Sequence, residues 1–118
     1  MIVPIDDFSP VFAGDTGNPL SILVVNKQDD AVSLSSATIT MKMQNVDDPN
    51  TIKTCNGTWT IDTVNTGRAS YAYQAGDVDT PGNWFLWIKI VKSGKPLHPD
   101  DGAGTPKILV VKPLPSGV

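Results

Sequence analysis

The sequence predicts an all-β fold in which two sheets pack face to face. Three observations predict it. Apolar and polar residues alternate with a period of two along several segments. Turn-forming residues part those segments at short intervals. No window of ten residues carries an apolar stripe of helical period.

The elements follow in chain order. Residues 1–12 read as an extended N-terminal arm. Leu20–Val25 is a short apolar run in which Leu20, Ile22 and Val24 are assigned inward, leaving Leu23 and Val25 outward. Leu34–Ala37 leaves room for one helical turn. In Thr38–Gln44, Ile39, Met41 and Met43 share one face, while Thr38, Thr40, Lys42 and Gln44 share the other, as in a half-buried antiparallel strand. Asn56-Gly57 marks a turn between the Thr51–Cys55 and Thr58–Val64 segments. Trp59 and Ile61 share a face in the second of these. Tyr71 and Tyr73 also share a face. A compact corner then runs from Ala75 to Gly82, closed by Pro81-Gly82, with a helical turn possible at Ala75–Asp77. In the strand after it, Trp84, Leu86, Ile88 and Ile90 point inward, and Phe85, Trp87 and Val91 point outward. Ser93-Gly94 is a turn, Ile108–Val111 reads as a fully buried strand, and residues 113–118 form a Pro-rich tail. Residues 13–112 thus hold about seven or eight antiparallel strands, the number of an immunoglobulin-like β-sandwich. A small barrel is the competing all-β architecture.

Composition narrows the function. A chain of 118 residues fits one domain. Ten glycines and ten prolines supply many turns. The net charge of −3, with no basic stripe, argues against a nucleic-acid partner. The single cysteine, Cys55, allows no intrachain disulfide and no cysteine-based metal site, and it reads as a small packing residue. The N-terminus lacks the pattern of a signal peptide, and no apolar run reaches the roughly 20 residues that span a bilayer. A soluble protein made in the cytoplasm is expected.

No catalytic set converges in the sequence, so no enzyme and no cofactor is expected. His98, the one histidine, lies in a loop-like segment with no G-x-S-x-G nucleophile elsewhere. The pairs Asp6-Asp7, Asp29-Asp30, Asp47-Asp48 and Asp100-Asp101 lack the spacing of a calcium loop and read as solvated turns. Asp77-Val78-Asp79 comes nearest to ligand spacing. Asn56-Gly57-Thr58 matches a glycosylation sequon but serves better as a turn. Gly14–Gly17 lacks the Lys-Ser/Thr ending of a phosphate loop. The corner is structural: Tyr71 is placed to hydrogen-bond the corner backbone, with Tyr73, Asp77, Pro81 and Gly82 completing it. The outward side chains are the candidate site. Phe85, Trp87 and Val91, with Leu23 and Val25, are too apolar for a sheet face that meets water. Either the arm or the tail covers them, or they form an interface between subunits, where Trp and Phe are favoured anchors.

Four stretches carry a resemblance: Gly14–Leu20 (GDTGNPL), Val32–Met41 (VSLSSATITM), Gly67-Arg68, and Tyr71–Trp84 (YAYQAGDVDTPGNW). Their order resembles the immunoglobulin-like N-terminal domain of the bacteriophage baseplate upper protein family. There a GDTG start, a V-L-ATVTF strand and a Y-W-AGDTDTPG-Y corner recur. The resemblance spans roughly Ala13 to Val111. It implies a virion structural role with no active site to transfer. Family members carry this domain ahead of a receptor-binding part, whereas this sequence holds one domain, which shifts the expectation to a small accessory protein. Family members also place charged residues where Phe85 and Trp87 stand.

The expected function is therefore a phage virion component that docks on other tail or baseplate proteins and on itself, in many symmetric copies. A capsid decoration protein and a carbohydrate-binding module directed at host-surface glycans are the alternatives. No membrane partner is expected, and the virion is the expected location.

Overall fold

The structure, a computed structural model, describes residues 11–17, 19–26, 28, 30–97 and 106–113. His98, the pairs Asp6-Asp7 and Asp100-Asp101, residues 1–10 of the expected arm and residues 114–118 of the expected tail lie outside them. The strands are β1 (Val11–Phe12), β2 (Leu20–Leu23), β3 (Thr38–Asn45), β4 (Ile52–Cys55), β5 (Trp59–Ile61), β6 (Arg68–Tyr71), β7 (Gly82–Lys92), β8 (Lys95–Leu97) and β9 (Lys107–Lys112). No helix occurs among the described residues. Leu34–Ala37 closes instead as a turn, with the Ala37 amide donating to the Leu34 carbonyl.

The strands divide between two sheets. One runs β1-β9-β7-β3-β4, with β8 also pairing β7, and the other runs β2-β6-β5. This is the strand division of an immunoglobulin-type sandwich. The chain is all-β as expected, with one exception to the antiparallel rule: β1 runs parallel to β9, pairing Val11 with Val111 and Phe12 with Lys112. Two residues expected in the arm therefore belong to the sheet.

β7 is the spine of the larger sheet. β3 pairs one side of it from Thr38↔Val91 to Asn45↔Trp84. Its other side is shared, with β9 along Gly82–Leu86 and β8 along Ile90–Lys92. Ser93 and Gly94 join β7 to β8 in two residues, both at positive φ, as a type I′ hairpin turn requires.

The period-two pattern sets the core. Met41, Met43, Trp84, Leu86, Ile88, Ile90, Leu109 and Val111 of the larger sheet face Leu20, Ile22, Ala69 and Tyr71 of the smaller one, all buried. Removing this apolar surface from water is the main drive for the two sheets to stack, about 10 Å apart. Ile108–Val111 is not buried on both faces. Leu109 and Val111 point inward, while Ile108 is exposed. Asn56-Gly57 does turn the chain, but it carries the chain from one sheet to the other, because β4 and β5 do not pair.

Candidate functional site

The outer face of the larger sheet is the candidate docking surface. Alternation puts Phe85, Trp87, Lys89 and Val91 of β7 on it, since their neighbours fill the core. The register extends the surface sideways. Ile108 of β9 lies opposite Phe85, Gln44 of β3 lies on its other side, and Ile52 of β4 lies beyond Gln44. One row across four strands thus reads Ile108, Phe85, Gln44, Ile52. Trp87 stands next to Phe85 on the same strand, their rings 6.4 Å apart and tilted by 58°. Phe12 and Val110 extend the patch toward β1. Trp87 is 44% exposed, Ile108 45%, Phe12 46% and Ile52 56%.

The polar atoms within this row are already partnered. The Trp87 Nε1–H donates to Gln44 Oε1 at 2.8 Å, and Gln44 Nε2 donates to the Pro49 carbonyl at 3.0 Å. Covering the indole would therefore strand no donor, and an unsatisfied buried donor is the usual cost of burying a Trp edge. Among the described residues of these strands, the charges on this face are all positive. Lys42, Lys89 and Lys112 lie on it, and Lys42 and Lys89 have no acidic partner among the described residues. A groove of about 430 Å³ opens beside Trp87, lined by Thr40, Lys42, Thr54, Asn56 and Lys89.

Three of the five residues expected on the surface, Phe85, Trp87 and Val91, come together here. Leu23 does not join them, because β2 belongs to the other sheet and turns Leu23 to the opposite side of the sandwich. Val25 is corrected: it is buried, 6% exposed, and offers no surface to a partner. β2 ends at Leu23, so strict alternation lapses. The Val24 amide then bonds to the Gly67 carbonyl, and Val25 bridges to Ala31. The sequence reading missed Ile52, Ile108, Val110 and Phe12. The alternation of Ile108 and Val110 with Leu109 and Val111 was the signal that could have found two of them.

The corner is built from both sides. Inside, the buried Tyr71 hydroxyl donates to Asp77 Oδ2 at 2.6 Å and accepts from the Gly57 amide at 2.8 Å. The Gln74 amide donates to the same Asp77 oxygen at 2.9 Å. The expected bond from Tyr71 to the corner backbone is thus replaced by a side chain that holds that backbone. Tyr73 packs edge-on against Tyr71, with centroids 5.8 Å apart. Outside, Lys53 Nζ bonds to the Gly76 carbonyl at 3.0 Å, the Thr80 hydroxyl at 3.3 Å and the Asp79 carboxylate, and lies 5.1 Å from the Trp84 ring centroid. Asp77 and Asp79 consequently point to different partners, and no group of three metal-ligating side chains forms among the described residues. Gly82 closes the corner at a φ of 141°, a conformation that side chains disfavour.

Burial pushes the Cys55 thiol up to about 12, reinforced by the negative charge of Asp77. It stays protonated and unreactive, as a packing residue should. Burial also raises the Tyr71 hydroxyl, and its bond to Asp77 raises it further. Neither group is poised for acid–base or nucleophilic chemistry near neutral pH.

The chain matches no protein-family model and no curated protein.

Proposed function

We propose that this domain is a structural module of a bacteriophage virion that assembles by burying the outer face of its larger sheet against protein, in the tail or baseplate. The observation that carries the protein-binding part is the Phe85–Trp87 row, an aromatic-centred patch whose polar atoms are satisfied within the domain. Such a patch can lose its water without stranding a donor. The phage context is supported by the likeness of the Tyr71–Trp84 corner and the Gly14–Leu20 stretch to the baseplate upper protein domain. A capsid decoration role rests on the same surface, and imaging tagged copies on particles separates head from tail.

Trp87→Asp tests the reading. Incorporation into particles should fall at least about tenfold, because a carboxylate would be buried where an anchor stood. The isolated domain should melt within a few degrees of the wild type, since position 87 lies outside the core. Undiminished incorporation would sink the proposal.

The groove beside Trp87 favours one second reading, a sugar stacked on the indole with the Thr40, Thr54 and Asn56 polar groups around it. Binding of the purified domain to a glycan array, abolished by Trp87→Ala, would support it. A blank array removes it.

A further inference from the structure

We propose that the outer face of the larger sheet takes the same face of a second copy, strands antiparallel, about a two-fold axis crossing β7 between Phe85 and Trp87. The inference rests on the assembly reading above and names the occupant of that surface.

Charge placement selects the partner and its orientation. Lys42 and Lys89 lie on the Trp87 side of the proposed axis: Lys42 is opposite Trp87, and Lys89 is two residues further along β7. On the Phe85 side, Asn45 lies opposite Trp84, and the exposed turn with Asp47 and Asp48 follows directly. Asn45 Oδ1 fixes that turn by accepting from the amides of both Asp47 and Asp48. At about 3.3 Å per residue, Lys89 and the Asp47 turn each sit on the order of 10 Å from the axis, on opposite sides.

Two copies can stack face to face about an axis that runs across the strands or along them. An axis along the strands would set Lys89 on the Lys89 of the other copy at the centre of the interface, and would carry the Asp47 turn across to the β9 side. An axis across the strands sets Lys42 and Lys89 of each copy toward the Asp47 turn of the other, and does so twice, while Lys112, beyond Gly82 at the far end of β9, stays outside these pairs. The Phe85 and Trp87 rings then meet their counterparts at the centre, with the charged pairs at the rim, as in a stable interface. Gln44 keeps its bond to Trp87 throughout, so the centre closes without an orphaned donor.

Sedimentation velocity of the purified full chain at low ionic strength tests this. The wild type should pass from monomer to dimer as concentration rises, and Trp87→Asp should remain a monomer. Lys89→Glu and Asp47→Lys should each weaken dimerisation about tenfold, because every rim pair is broken twice. The double variant Lys89→Glu/Asp47→Lys should recover most of the wild-type affinity, since it exchanges the charges in place. A wild type that stays monomeric at every concentration overturns the proposal, as does a double variant no tighter than the single ones. Particle incorporation, measured in parallel, separates this inference from the one beneath it. A monomeric wild type whose Trp87→Asp variant is still excluded from particles defeats only the second copy as occupant. A dimer whose Trp87→Asp variant enters particles normally defeats only the assembly role of the face.

Discussion

One hydroxyl, that of Tyr71, ties its own strand both to the link between the sheets and to the corner. It accepts from Gly57 in the link between the sheets and donates to Asp77 in the corner, while its ring lies 5.1 Å from that of Trp59 on the neighbouring strand. Tyr71→Phe keeps the ring and removes only the oxygen, leaving the Gly57 amide and the Asp77 carboxylate each short of a buried partner. The expected loss is about 1–3 kcal/mol of unfolding free energy, read by urea denaturation. An unchanged midpoint would mean that water replaces the hydroxyl. Gly57 shows why this junction tolerates no bulk. A Cβ there would stand 2.5 Å from the Ala72 carbonyl oxygen and 2.6 Å from the Tyr71 hydroxyl. The sequence placed Tyr71, Tyr73 and Asp77 in one corner, because alternation and turn residues are local signals. It gave no sign that Gly57 completes the bond set, because that contact spans 14 residues of chain and no periodicity encodes it.

Among the elements, the corner between β6 and β7 has the least regular pairing and relies on Lys53 from β4. The bond from Lys53, and after it that from Thr80, holds the Asp79 carboxyl below its ordinary 3.8. A carboxyl whose folded pKa is lowered contributes stability above its unfolded value and loses it as the pH falls through the folded value. The corner should therefore loosen below about pH 4 while the sheets persist. Lys53→Met should loosen it already at neutral pH, with roughly several-fold faster amide exchange at residues 76–80 and little change in β3 or β7. Uniform exchange rates across the variant and the wild type would exclude the clamp. Strands β3 and β7 were legible residue by residue, since in each the core-facing side chains recur at every second position. β1 was not legible: two residues are too short for a pattern, and a parallel partner 100 positions away leaves no local mark. The same limit hid the exposed half of β9, where both faces carry aliphatic side chains and a run of them imitates a buried strand.

At the scale of the whole molecule, the two sheets divide the labour. The smaller sheet and the inner face of the larger one make the core, and the outer face of the larger one carries the exposed apolar patch around Trp87. The sequence yielded the centre of that surface, Phe85 and Trp87, because they interrupt an otherwise core-facing strand on its wrong side. It did not yield the surface's extent, which depends on register. Only the pairing of Phe85 with Ile108 and of Gln44 with Ile52 shows that residues from β9 and β4 widen it. For the same reason Leu23 was grouped with Trp87, since alternation assigns a residue to a side of its strand but not to a sheet.

The parallel pairing of β1 with β9 also decides how the domain bears tension. A pull that draws the chain before β1 away from the chain after β9 slides the two strands lengthwise past each other. Their cross-links, among them the Ala13 amide on the Lys112 carbonyl at 2.8 Å, are then loaded together in shear and do not open one at a time like a zipper. Ala13→Pro deletes that donor, and stretching single molecules in an optical trap should find a lower rupture force for the variant. Equal forces would place the mechanical barrier elsewhere in the fold. A domain built this way resists being drawn out along its own length.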